Sequence, residues 1–275
     1  MTTATEEVGD KYVLPTGEKD AARLDVIHQV YGPISIRGLE AAGMDAVRHA
    51  ADIGCGTGTV SRWLAERIGA GANVDSIDIS EDQLNVARAI QPAAGAAKIT
   101  YSVASAYDPG LPEAAYDVVF VRLVLCHLKK PDEAVAAMAG LLKPGGRLVI
   151  VDMDMFSFLA MPPSEHYRRW LETARDHQRN IGVDYAVGLR LHELLSGAGL
   201  ETTFLAADQP IYNAGPGKHL WETSWRNALP YVVKAGSVTP EEGAEMIAGM
   251  AVHDARPDVW IAVAKMFAAV GRKGG

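Results

Sequence analysis

The densest chemistry in the chain lies in eight residues, Ala51-Asp52-Ile53-Gly54-Cys55-Gly56-Thr57-Gly58. Three glycines at alternate positions allow a sharp backbone turn and let a ligand approach main-chain amides with no Cβ in the way. Between a strand and a helix, those amides and the positive helix end favour an anionic or polar group. Asp52 stands two positions before the first glycine, at the strand end, where a carboxylate suits an ammonium and repels a phosphate. A second acid, Asp78, follows 20 positions after Gly58. From the end of a second strand, a carboxylate can grip two ribose hydroxyls. The sixth position of a GxGxxG fingerprint is Thr59 here, so the loop is GxGxG and matches a dinucleotide pyrophosphate poorly.

Candidates for proton transfer and substrate contact fall after the fourth and fifth strands, where ligands bind in open parallel sheets. His127, in Leu125-Cys-His-Leu128, is either a base or an anchor for the following helix. Asp152 and Asp154 alternate on one face of the fifth strand's end, Asp154 the better placed for a pocket; each also suits a turn cap. His166 and Tyr167 open a helix that can cover a substrate, or form its solvated face. Arg122 interrupts an apolar strand and needs a partner, either a carboxylate such as Asp154 or a polar ligand. Met153, Met155, Phe156, Phe158, Met161, Trp170, Trp221 and Trp225 suit an apolar pocket or ordinary core. Cys55 has no neighbour that would make it a reactive thiolate. No His, Cys and carboxylate cluster has metal-ligand spacing, so no metal is expected.

These residues need a frame that brings strand ends to one edge. From 50 to 154, short apolar runs alternate with amphipathic ones, the pattern of repeated β–α units and a parallel sheet. Strands are predicted at 48–53, 72–79, 98–103, 116–125 and 147–151. A helix follows the glycine loop, a second starts at the N-cap Ser80, and a third opens at Pro131 and ends in the turn Lys143-Pro-Gly-Gly146. Before this core lies a helix over 21–30 with Gly32-Pro33 as its breaker. After it, helices are predicted at 163–178, 192–198 and 218–234, with a strand at 201–205 and a last apolar run at 259–270. The expected division is 1–45 as N-terminal helical cap, 46–154 as cofactor-binding βα core, and 155–275 as completion of the core sheet with helical substrate-lid insertions.

The 275 residues are 48% hydrophobic and 22% charged, with a net charge of −8. That composition is globular and long enough to bury about three quarters of the unfolded surface. The acidic balance, without a Lys/Arg block, argues against nucleic-acid binding. The two cysteines do not form a disulfide framework. The polar, acidic start is unlike a signal peptide, and no apolar run approaches the roughly 20 residues of a membrane span. A cytoplasmic protein is expected, without membrane partners; a homodimer is compatible with the sequence but not required by it.

The block Asp52–Gly58, the strand Val74–Ile79, Tyr116–Leu128 and Leu142–Val151 resemble, in order and spacing, the class I S-adenosylmethionine-dependent methyltransferases. The similarity is greatest to the small-molecule branch of ubiquinone/menaquinone-type and natural-product enzymes. The resemblance implies an α/β, Rossmann-like sheet, mostly parallel with its last strand antiparallel, carrying the helical cap and lid. It implies S-adenosyl-L-methionine as cofactor and S-adenosyl-L-homocysteine as product. Gly54, Cys55, Gly56 and Gly58 would carry the methionyl part, with Asp52 near the ammonium and Asp78 on the ribose. Ile79 and Gln83 would flank the adenine, Val121 and Arg122 would contact the methionyl group or substrate, and Tyr12 would close over the cofactor. Where relatives carry Gly-Asp-Ala, this chain reads Ala104-Ser105-Ala106, so Ser105 offers the adenine one uncharged hydrogen bond. The activity implied is in-line methyl transfer to O, N or C of a small molecule, a secondary metabolite among the candidates. His127, Asp154, His166 and Tyr167 are the candidate catalytic residues. The alternatives are a non-methylating enzyme that uses the same cofactor, for cyclisation or rearrangement, and a non-enzymatic cofactor-binding subunit. Water exclusion would require the lid to move.

Overall fold

The computed structural model describes residues 18–275. In chain order it contains α1 (Glu18–Ala42), β1 (His49–Ile53), α2 (Thr59–Ile68), β2 (Asn73–Asp78), α3 (Glu81–Ala89), β3 (Lys98–Val103), β4 (Tyr116–Arg122), α4 (Pro131–Leu141) and β5 (Leu142–Asp154). There follow β6 (Leu159–Met161), α5 (Glu165–Ile181), α6 (Leu191–Gly197), β7 (Leu200–Asp208), β8 (Ile211–Tyr212), α7 (Leu220–Lys234), α8 (Pro240–Asp254), β9 (Trp260–Ala262) and β10 (Lys265–Lys273).

Seven strands form one sheet in the order β3-β2-β1-β4-β5-β10-β7. The five strands of the βα half run parallel, and β10 inserts antiparallel to both β5 and β7. This is the mostly parallel sheet with an antiparallel last strand that the sequence implied. The central strands read as near-continuous apolar runs because helices cover both faces: Val118 to Val121 and Leu148 to Val151 are buried. The strand order reverses between β1 and β4, and the crevice at their carboxyl ends is where such sheets bind ligands.

Three local departures from the sequence expectation have physical causes. Gly32-Pro33 does not break the first helix; α1 runs through Pro33. An interior proline costs about 3 kcal/mol, but α1 buries Val30, Tyr31, Ile34 and Leu39, and Gly38 lies against Val149 and Ala268. Packing outweighs the lost hydrogen bond. Lys143-Pro-Gly-Gly146 is not a turn before the fifth strand but an irregular stretch within β5, where the register to β4 shifts. Gly146 is needed there, since a Cβ would meet the Tyr116 carbonyl oxygen at 2.8 Å. The fourth strand ends at Arg122 rather than at 125, because Leu123 takes a positive φ of 53° and residues 125–127 form a 3₁₀ turn.

Two elements were not expected. A second, three-stranded antiparallel sheet has the order β6-β9-β8; its strands are two or three residues long, too short for a readable alternation. Helix α8 is well marked: Pro240 sits at its start, and Thr239 and Glu242 form a capping box.

Candidate active site

The glycine loop is built by backbone strain that only glycine relieves cheaply. Gly54 has φ 69°, and a Cβ there would lie 2.3 Å from Cγ2 of Val124. Gly58 has φ 72° and would put a Cβ 2.6 Å from the Tyr101 hydroxyl. The loop amides, expected to face a ligand, are in fact used within the protein. The N–H groups of Gly54 and Cys55 donate to the Ile77 carbonyl at 2.8 and 2.9 Å, and that of Gly58 to Cys55 at 2.9 Å. The Gly56 N–H donates to Oδ2 of Asp78 at 2.8 Å, and the Ser80 N–H to Oδ1 at 2.9 Å. The glycines therefore thread the chain between β1 and β2 and leave the Gly56 side open, rather than presenting a row of free donors.

Asp52 is 2% exposed at the end of β1. Ser61 Oγ, one turn into α2, donates to its Oδ2 at 2.6 Å. Burial pushes its pKa up to about 6, so at neutral pH it is mostly an anion that a cationic ligand would stabilise further. Asp78 is also raised by burial, opposed by the Ser80 and Gly56 amides. Arg122 does not pair with Asp154. Its Nη1 donates to Ser35 Oγ at 3.3 Å and lies 3.4 Å from His28 Nδ1, both on α1. Burial pulls the guanidinium down to about 10, and the nearby Asp52 charge acts the other way.

One cavity of about 790 Å³ opens at this edge. Its floor holds Asp52, Gly54, Cys55, Gly56, Asp78, Ile79, Gln83, Ala104, Ser105, Ala106 and Arg122. Eleven of the fourteen positions expected to bind the cofactor thus share one space. Tyr12 lies outside the described residues. Gly58 does not line the cavity, because it is tucked under Tyr101 as the N-cap of α2. Val121 does not line it either: side chains alternate along β4, and Phe120 and Arg122 hold the cavity side. Burial pushes the Cys55 thiol well up, so it is no thiolate.

Of the four candidate catalytic residues, only His127 reaches the cavity. Burial and the nearby Arg23 charge lower its pKa to about 4, so it is neutral at physiological pH. Tyr185 meets its ring edge-on at 6.4 Å. Asp154 instead caps the 3₁₀ turn at Met155–Ser157, accepting the Phe156 N–H at 3.0 Å. Asp152, buried, accepts the Met153 and Cys126 amides at 2.9 and 3.3 Å. His166 lies against Gly249 of α8, and Tyr167, 2% exposed, donates to Asp254 of α8 at 2.7 Å. The unexpected helix α8 occupies the face that His166 and Tyr167 were expected to present to a substrate.

The roof is aromatic and comes from α5 and α7, with Met153 and Met155 beside it. Trp170, Ala174, His177 and Ile181 line the cavity at helical spacing along α5; Trp221, Trp225 and Tyr231 do so along α7. Trp170 and Trp221 meet at 5.4 Å between ring centroids. Phe156, Phe158 and Met161 do not line the cavity; Phe158 packs on Tyr167 and Trp170 from behind. His177 and Tyr185 were not singled out from sequence, although the 170–174–177–181 spacing carries the signal. Among the described residues no group of three or more His, Cys, Asp or Glu could hold a metal ion, and no helix is long and apolar enough to cross a membrane.

The chain is similar to known methyltransferases in sequence and in fold. Residues 51–150 match a family model described as a methyltransferase domain. Methyltransferase GfsG of Streptomyces halstedii is 30% identical over 54% of this chain and 58% of its own length. Methyltransferase grgD of a Penicillium species is 32% identical over 64% of each chain. The chain thus spans a little under two thirds of the length of these relatives. The Bacillus halodurans C-125 protein BH2331 superposes with a TM-score of 0.61 at 18% identity, covering 89% of this chain and 100% of that one. The chain therefore carries a methyltransferase domain at residues 51–150, within a fold it shares with BH2331.

Proposed function

We propose that this protein is an S-adenosylmethionine-dependent methyltransferase acting on a small, largely apolar organic molecule, at O, N or C, in the cytoplasm. Natural-product biosynthesis is the setting we propose, because the aromatic roof suits an apolar ring compound. The net charge of −8 disfavours a nucleic-acid acceptor. The supporting observation is one continuous cavity, with two strand-end carboxylates on its floor and three tryptophans in its roof.

The floor fits the cofactor. Gln83 Oε1 is buried without a hydrogen-bond partner and lines the cavity, an acceptor that suits the exocyclic amine of an adenine. Among the described residues Asp52 has a single side-chain donor, Ser61, and keeps acceptor capacity for an ammonium. Asp78 spends one lone pair of each oxygen on the Gly56 and Ser80 amides, leaving a second on each for ribose hydroxyls. Ser105 Oγ accepts the Tyr107 N–H at 3.2 Å and keeps its own proton to donate.

When bound, S-adenosylmethionine supplies an electrophilic methyl group on a positively charged sulfur. The chain's own part is positional: Asp52, Asp78 and Gln83 fix one reactant, and the α5–α7 roof holds the other and excludes water. Such alignment supplies on the order of 7–11 kcal/mol of a bimolecular barrier, so an obligatory triad is not required. In this reading residues 46–154 form the cofactor half, 18–45 the described part of a cap, and 155–275 the rest of the sheet and the lid.

The test is calorimetry with S-adenosylhomocysteine, followed by incubation with methyl-labelled S-adenosylmethionine and a panel of hydroxylated aromatic and polyketide-like compounds. A labelled product heavier by one CH₂ is expected. Absence of binding would overturn the reading, and a product of unchanged mass would replace it with the non-methylating one.

A further inference from the structure

Between the lid helices and the turn that follows α7 lies a polar cluster to which neither sequence pattern nor relatives assign a role. His177, 5% exposed, sits two turns beyond Trp170 on the cavity side of α5. Its Nδ1 is 2.9 Å from Ser237 Oγ, and Asn180 Nδ2 donates to the same oxygen at 3.2 Å. Tyr185 stacks on the imidazole at 6.4 Å and 28°. The ring is thus held on one edge and one face, while Nε2 has no hydrogen-bond partner among the described residues. On the facing helix α7, Trp225 Nε1–H is buried without a partner and lines the same cavity. Buried polar atoms are almost always satisfied, so an orphaned donor in the same cavity as a held imidazole calls for a ligand.

We propose that His177 is the proton acceptor for the methyl-accepting hydroxyl, that Ser237 is its positioning residue, and that the substrate is a hydroxylated ring compound with a second oxygen placed to accept from Trp225. The proposal rests on the methyl-transfer reading above. In this assignment Nδ1–H donates to Ser237 Oγ, which already accepts from Asn180 Nδ2, and Nε2 carries the lone pair. The substrate O–H bond breaks, its electron pair stays on oxygen as the nucleophile, and the proton passes to Nε2. The resulting imidazolium later releases that proton to water. Burial lowers the His177 pKa below that of an ordinary imidazole, which keeps the ring neutral and ready to accept at pH 7. The walls select the rest of the molecule: Trp170, Trp221 and Trp225 offer flat apolar contact to rings.

The probe is 4-nitrophenol, added to the full-length protein saturated with S-adenosylhomocysteine. Tryptophan fluorescence reports its binding, and NMR of ¹⁵N-labelled histidine reports the state of each ring nitrogen. The free protein is expected to show the Nδ1–H tautomer at His177. The phenol is expected to quench fluorescence and to shift the Nε2 resonance toward its protonated value. His177→Asn, whose amide can replace the Nδ1 contact to Ser237, should still bind S-adenosylhomocysteine as wild type does, yet bind the phenol at least tenfold more weakly. A purely structural histidine would be rescued by that variant. Trp225→Phe should weaken the phenol several-fold without moving the tautomer, and Ser237→Ala should scramble the tautomer. An Nε2–H tautomer in the wild type, an Nε2 resonance unmoved by the phenol, or no phenol binding would each overturn the proposal. Loss of S-adenosylhomocysteine binding in the wild type would instead overturn the methyl-transfer reading.

Discussion

Asp78 and Gly56 are joined by a hydrogen bond of 2.8 Å from the glycine N–H to Oδ2 across the gap between β2 and the loop after β1. The acid expected to hold a ribose thus also holds the loop that would carry the methionyl group. Replacing Asp78 with Ala should lower S-adenosylhomocysteine affinity by on the order of a hundredfold or more, because a charge-assisted hydrogen bond contributes about 1.5–3 kcal/mol and two functions are lost together. Asp78→Asn should lose less. Calorimetry on the two variants checks the ranking, and equal losses would show that only the charge matters.

Asp52 sets stability against ligand binding. Its pKa is near 6 in the folded protein, above the ordinary 3.8. Between these values the folded state binds more protons than the unfolded one, so this residue's favourable contribution is full below about pH 4 and lost as pH rises through 6. Asp52→Asn keeps the Ser61 contact and removes the buried charge. The ligand-free variant should therefore gain about 2 to 3 kcal/mol over wild type at pH 8, with the difference shrinking toward pH 4. Wild-type affinity for S-adenosylhomocysteine should fall as pH drops below 6, and the variant should bind weakly throughout. Urea melts and calorimetry at pH 5, 6 and 8 measure both.

Gly54→Ala should cost about 2 to 4 kcal/mol, combining left-handed backbone strain with overpacking against Val124. Val124→Ala in the same chain should recover the overpacking part and leave the backbone part. Full recovery, or none, would show that one of the two causes is absent.

Tyr167→Phe separates a tie from a catalytic group. Its hydroxyl donates to Asp254, buried in α8, so its removal should lower stability by about 1–2 kcal/mol. Methylation by the folded variant should stay within a few-fold of wild type. A loss of a hundredfold or more would bring Tyr167 back to the chemistry.

Amide exchange in α5 and α7 should slow when S-adenosylhomocysteine and 4-nitrophenol are bound together, while β1, β4 and β5 stay equally protected in all states. An unchanged lid would show that water is excluded without closure.

The cofactor half was legible because its signals are local. Gly54 and Gly58 take a positive φ within their own loop, and Asp52 and Asp78 lie at the ends of segments that read as strands. The substrate half depends on contacts distant in sequence. Tyr167 meets Asp254 87 positions away and His177 meets Ser237 60 positions away, so no spacing announces either pair. Asp154 illustrates the opposite failure: a carboxylate at a strand end is equally suited to a ligand and to the next backbone amide, and here the amide of Phe156 took it. Pro33 was misread because local propensity is a weak prior when a helix buries Tyr31, Ile34 and Leu39.

The position of β10 bears on how the molecule forms. This strand lies between β5 and β7 and pairs with both over eight positions each, yet it is made after helices α5 to α8. While the polypeptide is emerging, β5 and β7 have no common neighbour, and the apolar flank of the half-built sheet is open to solvent. Such non-local pairing makes assembly slow and leaves intermediates prone to sticking. Folding in the cell should therefore draw on chaperones, and deletion of residues 265–275 should yield inclusion bodies rather than a trimmed enzyme.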